Sequence, residues 1–379
     1  MKTLKSLFML CAGLSFCACS SDNDEIQLPE GAAKVEVRIV PPTTATRSVV
    51  DESTATSGSE VQISGTYTVT LTAASISDQD GAIREFTQTV YAGDNKTNVV
   101  SFTGVKNPTK VTVVLNGGVA DYKTVDIASL NGETKLATNA PAYGETTTFT
   151  PGAAVEGVIT YTAAVQMAIP IARLEIGEIK YSPAAAPLFS DLTVGGVYLD
   201  KLREQGSVYS NGAFNSQGST LVDYQFGEDE DQYGTGIEYV LGDAAPASFN
   251  FISTDGEGNK SANTSAELPE TDKVYAYNFY GATTGAQAGS EPHFKIYFSS
   301  TQLTSEANPS PRYAMITSYN TDGSTPIALE NGKIYKVTAL ALDDKNIVSD
   351  EENKTTYNVS VTVTEARWTI EQVNGSWAQ

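Results

Sequence analysis

Few residues of this chain belong to the types that carry out chemistry, and the cysteines among them lie near the N-terminus. The 379 residues include one His, His293, and three Cys, at positions 11, 17 and 19. A single imidazole is more often packed or exposed than catalytic, and no Gly-x-Ser-x-Gly, Gly-x-Gly-x-x-Gly or Walker A pattern accompanies it. We therefore expect no enzyme activity and no cofactor.

One acidic run has the residue types of a cation site. Glu228-Asp229-Glu230-Asp231 supplies four carboxylates, and Ca²⁺ prefers oxygen ligands. The run lacks the spaced ligands and the central Gly of an EF-hand loop. We interpret it as a solvated loop, with Ca²⁺ binding as the alternative, and expect no metal in the protein.

Charge and composition narrow the function further. The chain carries 24 Lys and Arg against 45 Asp and Glu, a net charge of −21, so nucleic acid is excluded as a natural partner. An apolar content of 40% with 18% charged residues indicates a globular protein, and its length predicts about two domains of ~150 residues. Abundant Thr, Val and Tyr favour β structure.

The first residues predict export. Residues 1–18 carry Lys2 and Lys5 ahead of an apolar run that is too short to span a bilayer, which is typical of a removed signal peptide. Cys19 follows the small residue Ala18, as in a lipobox, so we predict lipidation at Cys19; ordinary cleavage near Ala18 is the alternative. Removal of residues 1–18 changes the net charge to −23 and leaves one Cys, so no disulfide pair remains.

Residues 20–25, Ser-Ser-Asp-Asn-Asp-Glu, form a short acidic tether behind Cys19, and a half-buried strand follows it. Residues 34–40, Lys-Val-Glu-Val-Arg-Ile-Val, alternate charged and apolar side chains, so Val35, Val37 and Ile39 are predicted to share a buried face. Pro41-Pro42 ends the strand. The next residues, 43–60, are rich in Thr, Ser, Ala and Gly, which predicts an exposed loop.

Many short strands separated by turn signals describe two β-sandwiches in tandem. Pro170 interrupts an apolar run, so we place the boundary there, giving domains 48–170 and 171–356, with 19–47 as tether and propeptide strand and 357–379 as a C-terminal segment. A short helix is predicted for 126–136. The predicted strands are 61–72, 85–91, 97–103, 110–116, 157–162, 165–181, 192–199, 220–226, 248–252, 273–280, 293–299, 314–318 and 333–342.

The C-terminal segment carries residues of a buried type close to the chain end. Its apolar positions switch from odd to even across residues 365–367, so we predict a bulge or bend there between two strands. Such residues, so near a terminus, have little chain left to cover them. The apolar positions are Val359, Val361, Val363, Trp368, Ile370, Val373 and Trp377.

These features together resemble the FimA-like major fimbrillins of Bacteroides-type bacteria, the subunits of type V pili. The resemblance rests on the Cys19 lipobox, the strand 34–40 with the Arg-bearing loop behind it, the stretch 168–174, and the terminal segment 357–377. It implies an all-β lipoprotein precursor with two sandwiches in transthyretin-like or Greek-key style, a removable N-terminal strand, a C-terminal donor strand and a place in fimbriae at the cell outer membrane.

In that family a protease cuts after an Arg in the loop behind the first strand. The matching residue here is Arg47, before Ser48, and it is the only basic residue between Arg38 and Arg84. The resemblance implies that cleavage frees the strand carrying Val35, Val37 and Ile39, and that the C-terminal segment of a neighbour replaces it by strand addition. Its partners would be other copies or related subunits, an Arg-specific protease, and the outer membrane through the lipid.

Three other functions stay open on the sequence. An anchor subunit would keep its first strand, and a tip subunit would need no donor strand. A non-polymerising surface lipoprotein could bind glycans through Tyr275, Tyr277, Phe279 and Tyr280. However, Tyr275, Tyr277 and Phe279 share one face of a strand, which favours a sandwich core.

Overall fold

The computed structural model describes most of the chain, in nineteen segments between residues 33 and 377. The described residues are 33–40, 59–63, 65–77, 81–91, 99–122, 136–155, 157–183, 185–203, 206–216, 221–222, 241–244, 249–263, 268–269, 274–289, 291–321, 325–348, 359–362, 364–370 and 374–377. Their regular structure consists of strands and two short 3-10 turns, Ala137–Asn139 and Asp344–Asn346. The predicted all-β class is confirmed. None of these residues forms a helix long and apolar enough to cross a membrane.

The first half of the chain forms an eight-stranded sheet. Its main order is β4-β3-β5-β1-β8-β7, with β6 and the C-terminal strand β24 also paired to β5. The strands of this sheet are β1 Ala33–Val40, β3 Thr66–Ser75, β4 Ile83–Tyr91, β5 Val99–Leu115, β6 Ala142–Thr146, β7 Thr150–Val155, β8 Val158–Gln166 and β24 Asn374–Trp377.

The second half is built on two five-stranded sheets, ordered β18-β9-β21-β23-β2 and β15-β10-β19-β20-β22. Tyr277 and Phe294 join their facing sides, with ring centroids 6.4 Å apart. The first of these sheets contains β2 Ser59–Ile63, β9 Ala172–Tyr181, β18 Tyr275–Phe279, β21 Lys333–Leu342 and β23 Thr364–Ile370; the second contains β10 Phe189–Asp200, β15 Leu241–Ala244, β19 His293–Leu303, β20 Ser310–Asn320 and β22 Val359–Thr362.

Three two-stranded ribbons complete the described strands. They are β11 Leu202–Arg203 with β14 Leu221–Val222, β12 Ser207–Ser210 with β13 Ala213–Ser216, and β16 Ile252–Thr254 with β17 Lys260–Ala262. The β12–β13 hairpin contacts the first half: the Tyr122 amide donates to the Ser207 carbonyl at 3.0 Å, and the Tyr209 amide donates to the Ala120 carbonyl at 2.9 Å. The rings of Tyr122, Tyr209 and Phe214 pack edge to face there.

Several strand limits differ from the prediction for physical reasons. The predicted strand 61–72 is two strands, β2 and β3, because the backbone turns at Gly65, whose φ of +139° suits only glycine. The predicted strands 97–103 and 110–116 are one strand, β5, which accommodates left-handed residues at Gly104 and Asn107. The C-terminal strand break lies between Thr362 and Thr364, not across 365–367.

The sheet membership of two strands departs from chain order. The chain passes from the eight-stranded sheet to the two five-stranded sheets between Gln166 and Ala172, around the buried Pro170. β2 belongs to the second half although it precedes β3, and β24 belongs to the first half although it ends the chain. The helix predicted for 126–136 lies outside the described residues except for its last residue.

Candidate functional site

β1 occupies an interior position of the eight-stranded sheet. It pairs antiparallel with β5, with Val35 opposite Phe102 and Arg38 opposite Val99, and parallel with β8 along its whole length. Past the end of the strand, the Met167 amide donates to the Val40 carbonyl at 2.9 Å. Both edges of β1 are therefore hydrogen-bonded.

The predicted buried face of β1 is confirmed. Val35 and Val37 are 0% exposed and Ile39 is 2% exposed, and Ala33 extends the same face at 5%. Paired positions point to the same side of a sheet, so Val37 lies between Val100 of β5 and Ala163 of β8, both buried. Burying a Val or Ile side chain contributes ~1.5–3 kcal/mol, so this face stabilises the fold by several kcal/mol.

The opposite face of β1 is polar. Lys34 and Glu36 form an ion pair with each other at 2.9 Å, and Arg38 is exposed. Hydroxyl residues flank Glu36, with Ser101 and Thr162 opposite it, and apolar residues flank Arg38, with Val99 and Ala164 opposite it. An exposed pair of this kind stabilises little, so the apolar face holds the strand in place.

The C-terminal strands are distributed over three sheets. β22 pairs parallel with β20 at the edge of one sheet, from Val359 opposite Ile316 to Thr362 opposite Asn320. β23 lies between β21 and β2, so its backbone is paired on both edges. β24 pairs with β5, where Trp377 is opposite Phe102.

Both described ends of the chain therefore meet on one strand. β1 and β24 each pair with residues 99–102 of β5, and because β1 occupies one edge, β24 lies on the other. The C-terminal segment does not share the position of β1 in this structure. Of the predicted site residues, Cys19, Arg47, Ser48, Val363 and Val373 lie outside the described residues, as does the acidic run 228–231; Val359, Val361, Trp368, Ile370 and Trp377 lie in the three C-terminal strands.

The residues considered for other functions are packed into the fold. Tyr275, Tyr277, Phe279 and Tyr280 are at most 8% exposed, as a sandwich core requires. His293 is half-buried at the start of β19. Within the described segments, no three His, Cys, Asp or Glu side chains are grouped so that they could hold a metal ion.

A small cavity beside Tyr280 has the residue types of a sugar site. Arg203, Tyr280 and Glu291 line it, and burial lowers the pKa of the Arg203 guanidinium although the Glu291 charge opposes that shift. Its volume is about 10 Å³, which is the space of one water molecule. The cavity is therefore too small for a saccharide.

One buried charged cluster gave no signal in the sequence. On β9, the Arg173 Nε donates to Glu175 Oε1 at 2.7 Å, and the Arg173 guanidinium also donates to the Asn278 side-chain oxygen at 3.3 Å. Arg173 and Glu175 are 4% and 0% exposed. Alternating charged residues are typical of an exposed strand face, and only the fold shows that this face is covered.

Comparisons with known proteins give structural likeness only. No protein-family model matches the chain, and no curated protein matches it. Similar solved structures include a protein named as a cell adhesion protein from Bacteroides eggerthii, at 16% identity and a TM-score of 0.48, covering 92% of this chain and 99% of that one. A fimbrilin from Porphyromonas gingivalis shows 12% identity and a TM-score of 0.45, covering 90% and 99%.

A third solved structure is the tip fimbrial protein Mfa3 from Porphyromonas gingivalis with a C-terminal truncation. It shows 10% identity and a TM-score of 0.35, covering 90% of this chain and 100% of that one.

Proposed function

We propose that this protein is a structural subunit of a cell-surface fimbria, exported as a lipoprotein precursor, cut after Arg47 and polymerised by exchange of β1 for a strand of a neighbouring subunit. The observation that carries the proposal is the place of β1. It is an interior strand with a buried apolar face, and Arg47 follows its last residue, Val40, by seven positions in the sequence.

Loss of β1 would leave a slot with the shape of a strand. The edges of β5 and β8 would present unpaired N–H and C=O groups, and the positions of Val35, Val37 and Ile39 would open onto the core. A domain is stable by ~5–15 kcal/mol, so loss of a strand that contributes several kcal/mol favours uptake of a replacement.

A slot of this kind gives a filament when the replacing strand comes from another copy. Donor and acceptor are different surfaces of one subunit, so the contact is head-to-tail and the polymer is open. Before cleavage, β1 fills the slot, so polymerisation waits for an Arg-specific protease. Lipidation at Cys19 would hold the precursor at the outer membrane.

The test compares two arginine substitutions in the full-length protein. Arg47→Ala should give an exported subunit that forms no SDS-resistant ladder on the cell surface. Arg38→Ala is the matched control, because Arg38 is exposed but lies within a strand paired on both edges, and its ladder should be unchanged.

N-terminal sequencing of the polymerised subunit should start at Ser48. Abundant polymer from Arg47→Ala would contradict the cleavage step. A chain that ends before Tyr357 should be exported without entering filaments, and normal filaments from it would contradict the donor role of the C-terminal segment. A polymerised subunit that retains β1 would instead indicate an anchor.

A further inference from the structure

The slot of β1 has strict size limits along its apolar side. Its positions hold one small side chain, Ala33, and three β-branched ones, Val35, Val37 and Ile39. The three β-branched side chains are between 0% and 2% exposed. The walls of the Val37 position are Val100 and Ala163, both buried in the same core. A much larger side chain at this position would overpack a core of native density.

The polar side of the slot is partly exposed and holds the charged residues Lys34, Glu36 and Arg38 of β1. The positions that flank it are Ser101 and Val99 on β5 and Thr160, Thr162 and Ala164 on β8, so three hydroxyl residues, two apolar ones and no charged one border it. The ion pair of β1 lies within β1 itself, between Lys34 and Glu36, and would leave with the strand. Cross-strand Ser and Thr pairs are favourable, so the slot suits a strand with hydroxyl residues at alternate positions.

The C-terminal segment contains two stretches with alternating apolar residues, and they differ in the size of their apolar side chains. The stretch 359–364 reads Val-Ser-Val-Thr-Val-Thr, so three β-branched side chains alternate with three hydroxyl residues. The stretch 366–370 reads Ala-Arg-Trp-Thr-Ile, which places an indole where the slot accepts a Val. The spacing of two residues in the first stretch matches the spacing of Val35, Val37 and Ile39.

We infer that Val359, Val361 and Val363 of a second copy fill the β1 slot, and that the stretch with Trp368 and Ile370 does not. This inference rests on the proposed function and states which segment of the partner enters the site. The sheet positions agree with it: β22 is an edge strand, whereas β23 cannot leave without separating β21 from β2.

The experiment uses the full-length protein after cleavage by an Arg-specific protease. A fluorescent peptide of residues 33–40 reports occupancy of the slot through its anisotropy. The competitors are unlabelled 33–40, 357–365, 365–373 and a scrambled 357–365. We expect 357–365 to displace the probe at a concentration at least tenfold below that of 365–373, and the scrambled peptide to be inactive.

Two variants of the 357–365 peptide test the size limit. Val361→Trp should weaken competition at least tenfold, and Val361→Ile should retain it within about twofold, because Ile adds one methylene to the space that Val37 occupies and Trp adds a whole indole ring. Equal weakening by both substitutions would contradict selection by size.

The outcomes separate this inference from the proposed function. If 365–373 competes as well as 357–365 or better, the inference is overturned while strand exchange stands. If unlabelled 33–40 competes and neither C-terminal peptide does, the donor role of the C-terminal segment fails as well. If the probe never enters the cleaved protein, strand exchange itself is contradicted.

Discussion

The two neighbours of β8 differ in almost every respect. β1 is parallel to β8, paired on its other edge to β5, and buried along its apolar side. β7 is antiparallel to β8, ends the sheet, and is exposed along its entire length, with Val155 at 70%. Pro151 within β7 has no N–H for a ladder and is tolerated because the strand is an edge.

The difference shows that a strand near the start of a chain can be central to a fold. Without β7, β8 would still be joined to β5 through β1. Without β1, β8 and β7 would form a two-stranded ribbon, joined to the sheet by the paired backbones of Tyr143 and Ala168 at 2.9–3.0 Å. Two-stranded ribbons are marginally stable alone, so β1 fastens this hairpin to the sheet.

The largest difference between β1 and β7 is expected when a charged residue is placed on each strand. Val37→Asp puts a carboxylate in the core without a partner and should lower the free energy of unfolding by about 3–5 kcal/mol. Val155→Asp should change it by less than about 0.5 kcal/mol, because Val155 faces solvent. Urea denaturation measures both, and equal effects would show that β1 is not the stabilising strand.

A milder pair compares the two faces of β1. Val35→Ala removes two buried carbons beside Phe102 and should cost about 2–3 kcal/mol. Lys34→Ala removes an ion pair at the surface and should cost less than about 1 kcal/mol. Urea denaturation measures the unfolding free energy of both variants. A larger loss of stability from Lys34→Ala than from Val35→Ala would contradict the assignment of the apolar face as the stabilising one.

A substitution at the C-terminal end of β8 should have a smaller effect on stability. The Tyr209 hydroxyl donates to the Gln166 carbonyl at 2.8 Å, which ties the β12–β13 hairpin to the last residue of β8. Tyr209→Phe should cost about 1 kcal/mol. Tyr161→Phe, at a half-buried position on the same strand, is the matched control and should stay within about 0.5 kcal/mol. If Tyr209→Phe and Tyr161→Phe gave the same thermal unfolding curve, this hydrogen bond would not contribute to stability.

The smallest expected effect concerns β6, which shares an edge of β5 with β1. Burial raises the pKa of Glu145, but hydrogen bonds from Lys110 and Tyr143, both 2.6 Å long, outweigh it and hold the pKa below its usual 4.5. This contribution is present above pH 4.5 and is lost as the pH falls through the lower folded-state pKa.

Glu145→Gln should therefore cost less than about 1 kcal/mol at pH 7, since solvent screens the contact, and the two proteins should converge in strong acid. Unfolding free energies measured from pH 2 to pH 7 test this expectation. A difference that grew toward low pH would contradict the direction of the shift.

Alternation of residue types made the interior of β1 predictable, and it also identified Tyr275, Tyr277 and Phe279 as core. It could not show which sheet a strand joins, because pairing depends on contacts between residues distant in sequence. β2 joins the second half beside β23 for this reason. Arg173 and Glu175 had the pattern of a solvated face and were missed as buried residues.

The pairing of β1 and β24 with the same residues of β5 also bears on how the chain can be reconnected. Neighbouring strands lie about 4.8 Å apart, so Val35 and Trp377, both opposite Phe102, are about 10 Å apart across the sheet. A short linker from the end of β24 to the start of β1 would span that distance. A circular permutant opened at the exposed turn at Gly157, between β7 and β8, could then keep every strand in its present place.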